Sequence, residues 1–471
     1  DPMALVSLAL LLRETGSLDE SLALWQYLEK CFADQPPDHS EPGKYVKHPE
    51  YLKYLAKSLN NQAAVLIEKE ELGRALALCR KAERVCEGIG DADERLRVLV
   101  NTAAIHQMWG RFKEALALYE EGKATCHRLG NLEGIAASLG NQVAIYMAMG
   151  DLDKAEELSA EQKQVADQLV NKNALRQILG TQAQILEAKE DYAGALEATR
   201  QQVALCGQLG DKQSLQNALG NMVHLLITLR ELDEAAAALD QQEELCVTLA
   251  SREGLARCHD HRGVVLRLRG RFADAVTMHE NAEGLHRGAE AQTAGAAGSK
   301  SVLGPVGSAG PERPAGPDLD GLQFCLRSKG RAYLALKEHC RAMACFEEME
   351  AIGLQLKNDF VRQDALGWQG KVLESQGKSA EALERLGLKY RMCANLALEQ
   401  GPARALKTKR AMALALVDQA KVLATGMERP ADAVAKLEDA ERIAREAGLE
   451  SLEAQIRGLI DGISRLLGSG N

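Results

Sequence analysis

Small apolar residues recur along this chain at one fixed interval. Alanine stands at Ala75, Ala115, Ala155, Ala195, Ala235 and Ala275, each 40 residues after the last. Twelve residues before each lies a second small or compact residue: Ala63, Ala103, Val143, Ala183, Val223 and Gly263. Two residues earlier the chain is polar, with Asn61, Asn101, Asn141, Thr181, Asn221 and His261. Self-similarity at a period of this length predicts a solenoid. Each period predicts two helices. Within 132–171 the spacing predicts a first helix up to Met149 and a second from Leu152, joined by Gly150 and Asp151. The glycine supplies a left-handed turn and the aspartate caps the next helix. Gly110 and Gly270 occupy the same turn, whereas Glu70, Glu190 and Arg230 stand there in other repeats. One such pair cannot bury its apolar stripe alone, but stacked neighbours can.

The register breaks and resumes. The small position returns at Gly330 and Gly370, with Ala342 and Ala382 twelve residues on. Gly263 to Gly330 is 67 residues, one repeat plus 27. Those extra residues are rich in Gly, Ala, Ser and Pro, so 289–318 is expected to be a flexible loop. Upstream, Ser21 takes the alanine position 54 residues before Ala75, the excess falling in a Pro-rich insertion over 33–50. No proline lies between Pro49 and Pro305, as consecutive helices require. The expected organisation is therefore a first unit over 3–32, that insertion, six repeats over 51–288, and the loop. Three further units follow over 319–447, with Ala433 and Ala440 as small residues of the last. A capping helix and tail complete the chain over 448–471. Asp1-Pro2 ahead of Met3 is expected to be a cloning remnant, the alternative being a cut from a longer chain.

Composition agrees with an all-α reading. Of 471 residues, 46% are hydrophobic but only 4% aromatic, which favours helices over strands. The 57 Lys and Arg are outnumbered by 67 Asp and Glu, for a net charge of −10, which argues against a nucleic-acid ligand. No apolar run approaches the length a membrane helix needs. The 11 cysteines are odd in number and lack Cys-x-x-Cys spacing, as expected of reduced thiols in a cytoplasmic protein. Four of them, Cys86, Cys126, Cys206 and Cys246, share one repeat position and are expected to be small core residues.

The pattern small–x6–Gly–x4–Ala in Val143…Gly150…Ala155 and Ala103…Gly110…Ala115 resembles the tetratricopeptide repeat. The 40-residue length resembles the subgroup found in kinesin light chains and in STAND-type signalling proteins. This resemblance implies a right-handed superhelix of about nine to ten helix pairs. It also implies that the Asn position of the first helix lines a concave groove, and that the chain is a non-catalytic scaffold for an extended peptide or protein segment. An alternative is that the chain is the sensor region of a larger signalling enzyme, a STAND-type ATPase or a repeat-fused protease.

Asn61, Asn101, Asn141 and Asn221 are the first candidates. An amide side chain both donates and accepts, so a row of them can bond an extended backbone. The competing possibility is that they bond the neighbouring helix and set repeat spacing. Residues one turn away share that face. Four before lie Lys57, Arg97, Ala137, Gln177, Asn217, Arg257, Phe324 and Asp364; three after lie Ala64, Ala104, Ala144, Gln184, His224, Val264, Arg331 and Lys371. The face is basic at both ends and neutral between, within an acidic protein. That favours an acidic ligand. Lys57-x3-Asn61 and Arg97-x3-Asn101 resemble the carboxylate clamp of co-chaperone repeats. Trp368, at the Asn position, is either a packing residue or closes the C-terminal groove.

Other chemistry is not expected. On a helix, Cys258-His259-Asp260-His261 places only Cys258 and His261 on one face, so with His224 it is assigned to groove-lining or solvated imidazoles rather than a metal. The stretch Gly295–Ser301 departs from a phosphate loop because Ser299 separates Gly298 from Lys300. No nucleophile–base constellation stands out, so neither a cofactor nor catalysis is expected. The sequence leaves the oligomeric state open.

Overall fold

The computed structural model describes residues 2–33, 49–288, 318–399 and 402–468. Most of the 33–50 insertion and of the 289–318 loop lie outside these residues. Among the described residues every regular element is a helix and there is no strand. The chain divides into two compact units, Asp1–Lys189 and Glu190–Asn471.

The first unit holds α1 (Pro2–Glu14), α2 (Leu18–Ala33), α3 (Pro49–Glu68), α4 (Leu72–Ile89), α5 (Ala92–Met108), α6 (Phe112–Leu129), α7 (Leu132–Met149), α8 (Leu152–Gln168) and α9 (Lys172–Ala188). Its small register residues are where helices meet: Ala63, Ala75, Ala103, Ala115 and Ala155 are fully buried. Ser21, at the alanine position of the first pair, donates to the carbonyl of Ala9 at 2.7 Å and so pairs its hydroxyl on burial. Gly150 takes φ 79° and Asp151 accepts from the backbone of Lys154, as the sequence predicts.

The second unit holds α10 (Tyr192–Leu209), α11 (Lys212–Leu229), α12 (Leu232–Thr248), α13 (Arg252–Leu268), α14 (Phe272–Arg287), α15 (Leu319–Ala335), α16 (His339–Gln355), α17 (Asp359–Ser375), α18 (Ser379–Glu399), α19 (Pro402–Lys421), α20 (Pro430–Glu446) and α21 (Glu450–Gly468). A π-helical turn, Val422–Gly426, ends α19. The register crosses the insertion intact. The backbone N–H of Asp318 donates to the carbonyl of His286 at 2.8 Å, seating α15 against the end of α14. Ala275, Phe346, Ala342 and Ala365 then share one core.

In both units each helix packs on the next in sequence, and first helices also touch across the intervening second helix: α3 on α5, α11 on α13, α13 on α15, α15 on α17. In the second unit these contacts run without a break from α11 to α17, so its first helices form a continuous face. No described helix is long and apolar enough to cross a membrane.

Candidate ligand-binding face

In the first unit the face carries Lys57, Asn61, Arg97, Asn101 and Asn141. Much of its polar chemistry is spent internally. Asn61 donates back to the carbonyl of Lys57, 2.9 Å away on its own helix. Asn101 donates to Oδ1 of Asn60 at 2.7 Å, and Asn60 donates to Glu94 at 2.9 Å. Glu94 is buried and also accepts from Arg97 at 2.6 Å. The chain Asn101–Asn60–Glu94–Arg97 ties α3 to α5. Asn141 is half-buried and Lys57 likewise. An open hollow of about 490 Å³ lies over this region, lined in part by Arg13, Asn61, Arg97 and Asn101.

The second unit differs. Its face runs across α11, α13, α15 and α17, and the register residues meet in sequence order. Arg257 reaches Asn217, with 3.4 Å between its Nη2 and the amide oxygen. Asn221 and His224 are exposed on α11. The His261 ring is edge-on to Phe324, with centroids 6.1 Å apart. Burial and the nearby His224 push the His261 imidazole down to about 4. Arg327 covers Phe324 and approaches Asp364 at 3.4 Å. Two cations lie over the Trp368 ring, Arg331 at 4.9 Å and Lys371 at 4.6 Å from its centroid. Its other contact is inward, a stack on buried Phe346 with centroids 5.7 Å apart.

Two further arginines join this face. Arg267 lies about two turns beyond His261 on α13, and Arg230 is the left-handed turn residue ending α11, at φ 66°. Burial, then Arg331 and Arg230, push the Arg267 guanidinium down to about 10. Burial and the neighbouring Arg327 and Arg230 lower Arg331 as well, against the opposing pull of Asp364. Among the described residues none of Arg230, Arg267 and Arg331 has a salt-bridge partner within 4.0 Å, and Nε of Arg267 and of Arg327 is buried without a hydrogen bond. Like charges gathered in a partly desolvated place cost free energy unless an anion joins them.

The Cys258-His259-Asp260-His261 run is split by the helix. Cys258 is buried with its sulfur 3.9 Å from that of Cys246, His261 faces Phe324, and Asp260 points into the core.

Residues 54–125, spanning most of α3 to α6, match the family model of the tetratricopeptide repeat. No curated protein sequence matches this chain. Among solved structures it is similar to the apo form of the quorum sensor NprR from B. thuringiensis. That similarity has a TM-score of 0.51 at 10% identity, over 83% of this chain and 98% of that one. It is also similar to BtubC (BKLC) from P. vanneervenii, with a TM-score of 0.39 at 17% identity, over 51% of this chain and 91% of that one. A third is a STAND protein with a tetratricopeptide repeat sensor from Pyrococcus horikoshii, at 0.45 and 12%, over 79% and 52%. At 10% identity the likeness to NprR shows the fold alone. The repeat region is a protein-interaction region.

Proposed function

We propose that the chain is a non-catalytic scaffold whose first-helix face in the second unit binds an extended, acidic peptide or protein segment. One observation carries this: Arg230, Arg267 and Arg331 lie near one another, and among the described residues none of them has a salt-bridge partner within 4.0 Å. A protein of net charge −10 has carboxylates to spare, and other arginines of the same repeats use them. Arg262 pairs with Asp240 and Glu243, and Arg269 with Asp233, in the same repeats. An incoming carboxylate would supply the missing partner, with Arg257 and Lys371 extending the basic track to either side. Trp368 and Phe324 offer apolar surface between the charges, and the exposed amides of Asn217 and Asn221 offer bonds to a peptide backbone. In the first unit, Asn61 and Asn101 spend amide N–H groups on acceptors within the protein, so Asn141 and Lys57 are the better contacts there.

The test is fluorescence anisotropy with a labelled hexaglutamate peptide, and hexalysine as its counterpart. Hexaglutamate is expected to bind and to weaken as salt rises, because screening shortens the reach of the arginines. Equal affinity for both peptides, or affinity indifferent to salt, would remove the electrostatic basis of the proposal.

A further inference from the structure

We propose that Asp260, His279 and Cys325 form a buried zinc site in the second unit, with His286 beside it. The repeat itself provides the control. One, two and three repeats upstream of Asp260 stand Gly220, Gly180 and Gly140. Upstream of His279 stand Leu239, Thr199 and Ser159; upstream of His286 stand Cys246, Cys206, Ala166 and Cys126. In the preceding repeat Gly220 faces Gln242, whereas here Asp260 is matched by the small Ala282. Three departures from the register coincide at one junction, and the next helix adds a thiol.

The four side chains are almost wholly sealed: Asp260 is 2% exposed, His279 and Cys325 0%, His286 2%. Asp260 Oδ1 lies 3.0 Å from Nδ1 of His279, and its Oδ2 lies 3.0 Å from Nε2 of His286. One donor atom from each of Asp260, His279 and Cys325 falls within 4.8 Å of the others. Tetrahedral zinc, with ligands at about 2.0–2.3 Å, needs donors separated by roughly 3.3–3.8 Å, so small side-chain shifts suffice. The mix of carboxylate, imidazole and thiol is the set zinc accepts.

An outer layer supports the site. Nδ1 of His286 lies 2.9 Å from Oδ2 of Asp318, leaving Nε2 aimed at Asp260. The other oxygen of Asp318 caps α15 through the N–H of Gly321 at 3.0 Å. Ligating carboxylates in metal centres are themselves held by hydrogen bonds from outside, and His286, oriented by Asp318, does this for Asp260. Space is provided by glycine: a methyl group on Gly263 would meet the His279 ring at 2.7 Å, and one on Gly321 the His286 ring at 2.1 Å. In this arrangement Nε2 of His279 is buried with no hydrogen-bond partner.

Charge also balances. The Cys325 thiol donates to the carbonyl of His279 at 3.0 Å, and burial with the nearby Asp260 holds it protonated. On binding Zn²⁺ the thiol releases that proton to solvent, and thiolate plus carboxylate offset the two positive charges of the ion. No other covalent change or redox step is involved.

The experiment uses the full chain, stripped with a chelator and titrated with Co²⁺ and then Zn²⁺. One equivalent of Co²⁺ is expected to produce a thiolate-to-cobalt charge-transfer band that one equivalent of Zn²⁺ erases, with a rise in thermal midpoint. Cys325→Ser is expected to remove the band. Asp318→Asn, which keeps the helix cap, should weaken zinc binding by about tenfold. Absence of the band from the wild-type chain would overturn the proposal without recourse to any variant. So would an unchanged spectrum in Cys325→Ser, since the metal would then sit elsewhere.

Discussion

Gly330 lies directly beneath the ring of Phe346: a methyl group there would sit 2.7 Å from both Cε1 and Cζ. Phe346 is fully buried and stacks on Trp368, which in turn carries Arg331 and Lys371. The small residue that the 40-residue register demands is thus two contacts away from the candidate binding face. Gly330→Ala is expected to lower stability by about 1–2 kcal/mol, overpacking outweighing the gain in helix propensity. Urea unfolding followed by circular dichroism measures this. A variant as stable as wild type would mean the ring has room to move.

Several turns use residues that dislike their conformation. Glu70 and Lys337 both hold φ 61° where other repeats place glycine. A non-glycine residue in the left-handed region costs about 1–2 kcal/mol, part of which glycine returns as unfolded-state entropy. Glu70→Gly and Lys337→Gly are each expected to raise stability by up to about 1 kcal/mol. A rise in the urea midpoint checks it.

The asparagines at one register position divide by their partners. Asn101 donates to buried Asn60, whereas Asn221 is exposed. Asn101→Ala strands a buried acceptor and should cost about 1–3 kcal/mol. Asn221→Ala should leave stability within about 0.5 kcal/mol of wild type. Equal losses in the two variants would show that the position is structural throughout.

Thiol reactivity should follow exposure. Cys340 is exposed, while Cys79, Cys86, Cys345 and Cys393 are buried. Burial pushes Cys86 up to about 12 and the other three up to about 11. The thiolate is the reactive form. A disulfide reagent at pH 8 is therefore expected to label Cys340 well before these four, and Cys340→Ser should remove the fast phase. Mass spectrometry of the labelled chain identifies the site.

The repeat was legible because it is written in residues that only packing explains. Alanine every 40 residues means a helix crossing every 40 residues, and the glycine and aspartate at 150 and 151 mark a turn by backbone chemistry alone. Charge on the face was legible one turn either side of the Asn position of each repeat, which brought in Arg257 on α13 and Arg331 on α15. Arg267 lies a further turn along, and Arg230 read only as a missing turn glycine, so their meeting with Arg331 emerged from three dimensions. Asn101 illustrates another limit: its neighbour Asn60 belongs to a different helix, and no spacing rule announces that bond. The Asp260, His279, His286 and Cys325 cluster draws on three helices and crosses the insertion. Its signal was nevertheless present, as simultaneous departures from the glycine and cysteine positions of the register.

The most direct test of the central claim pairs binding with stability in Arg267→Gln/Arg331→Gln. A base held below its ordinary pKa destabilises the fold wherever it is protonated, which for Arg267 covers the neutral range. Removing both charges should leave the urea midpoint at pH 7 unchanged or higher. The same variant should lose about tenfold or more in hexaglutamate affinity for each arginine removed. Retained affinity, or a folded state clearly weakened by the substitutions, would contradict the claim that these arginines await an acidic ligand.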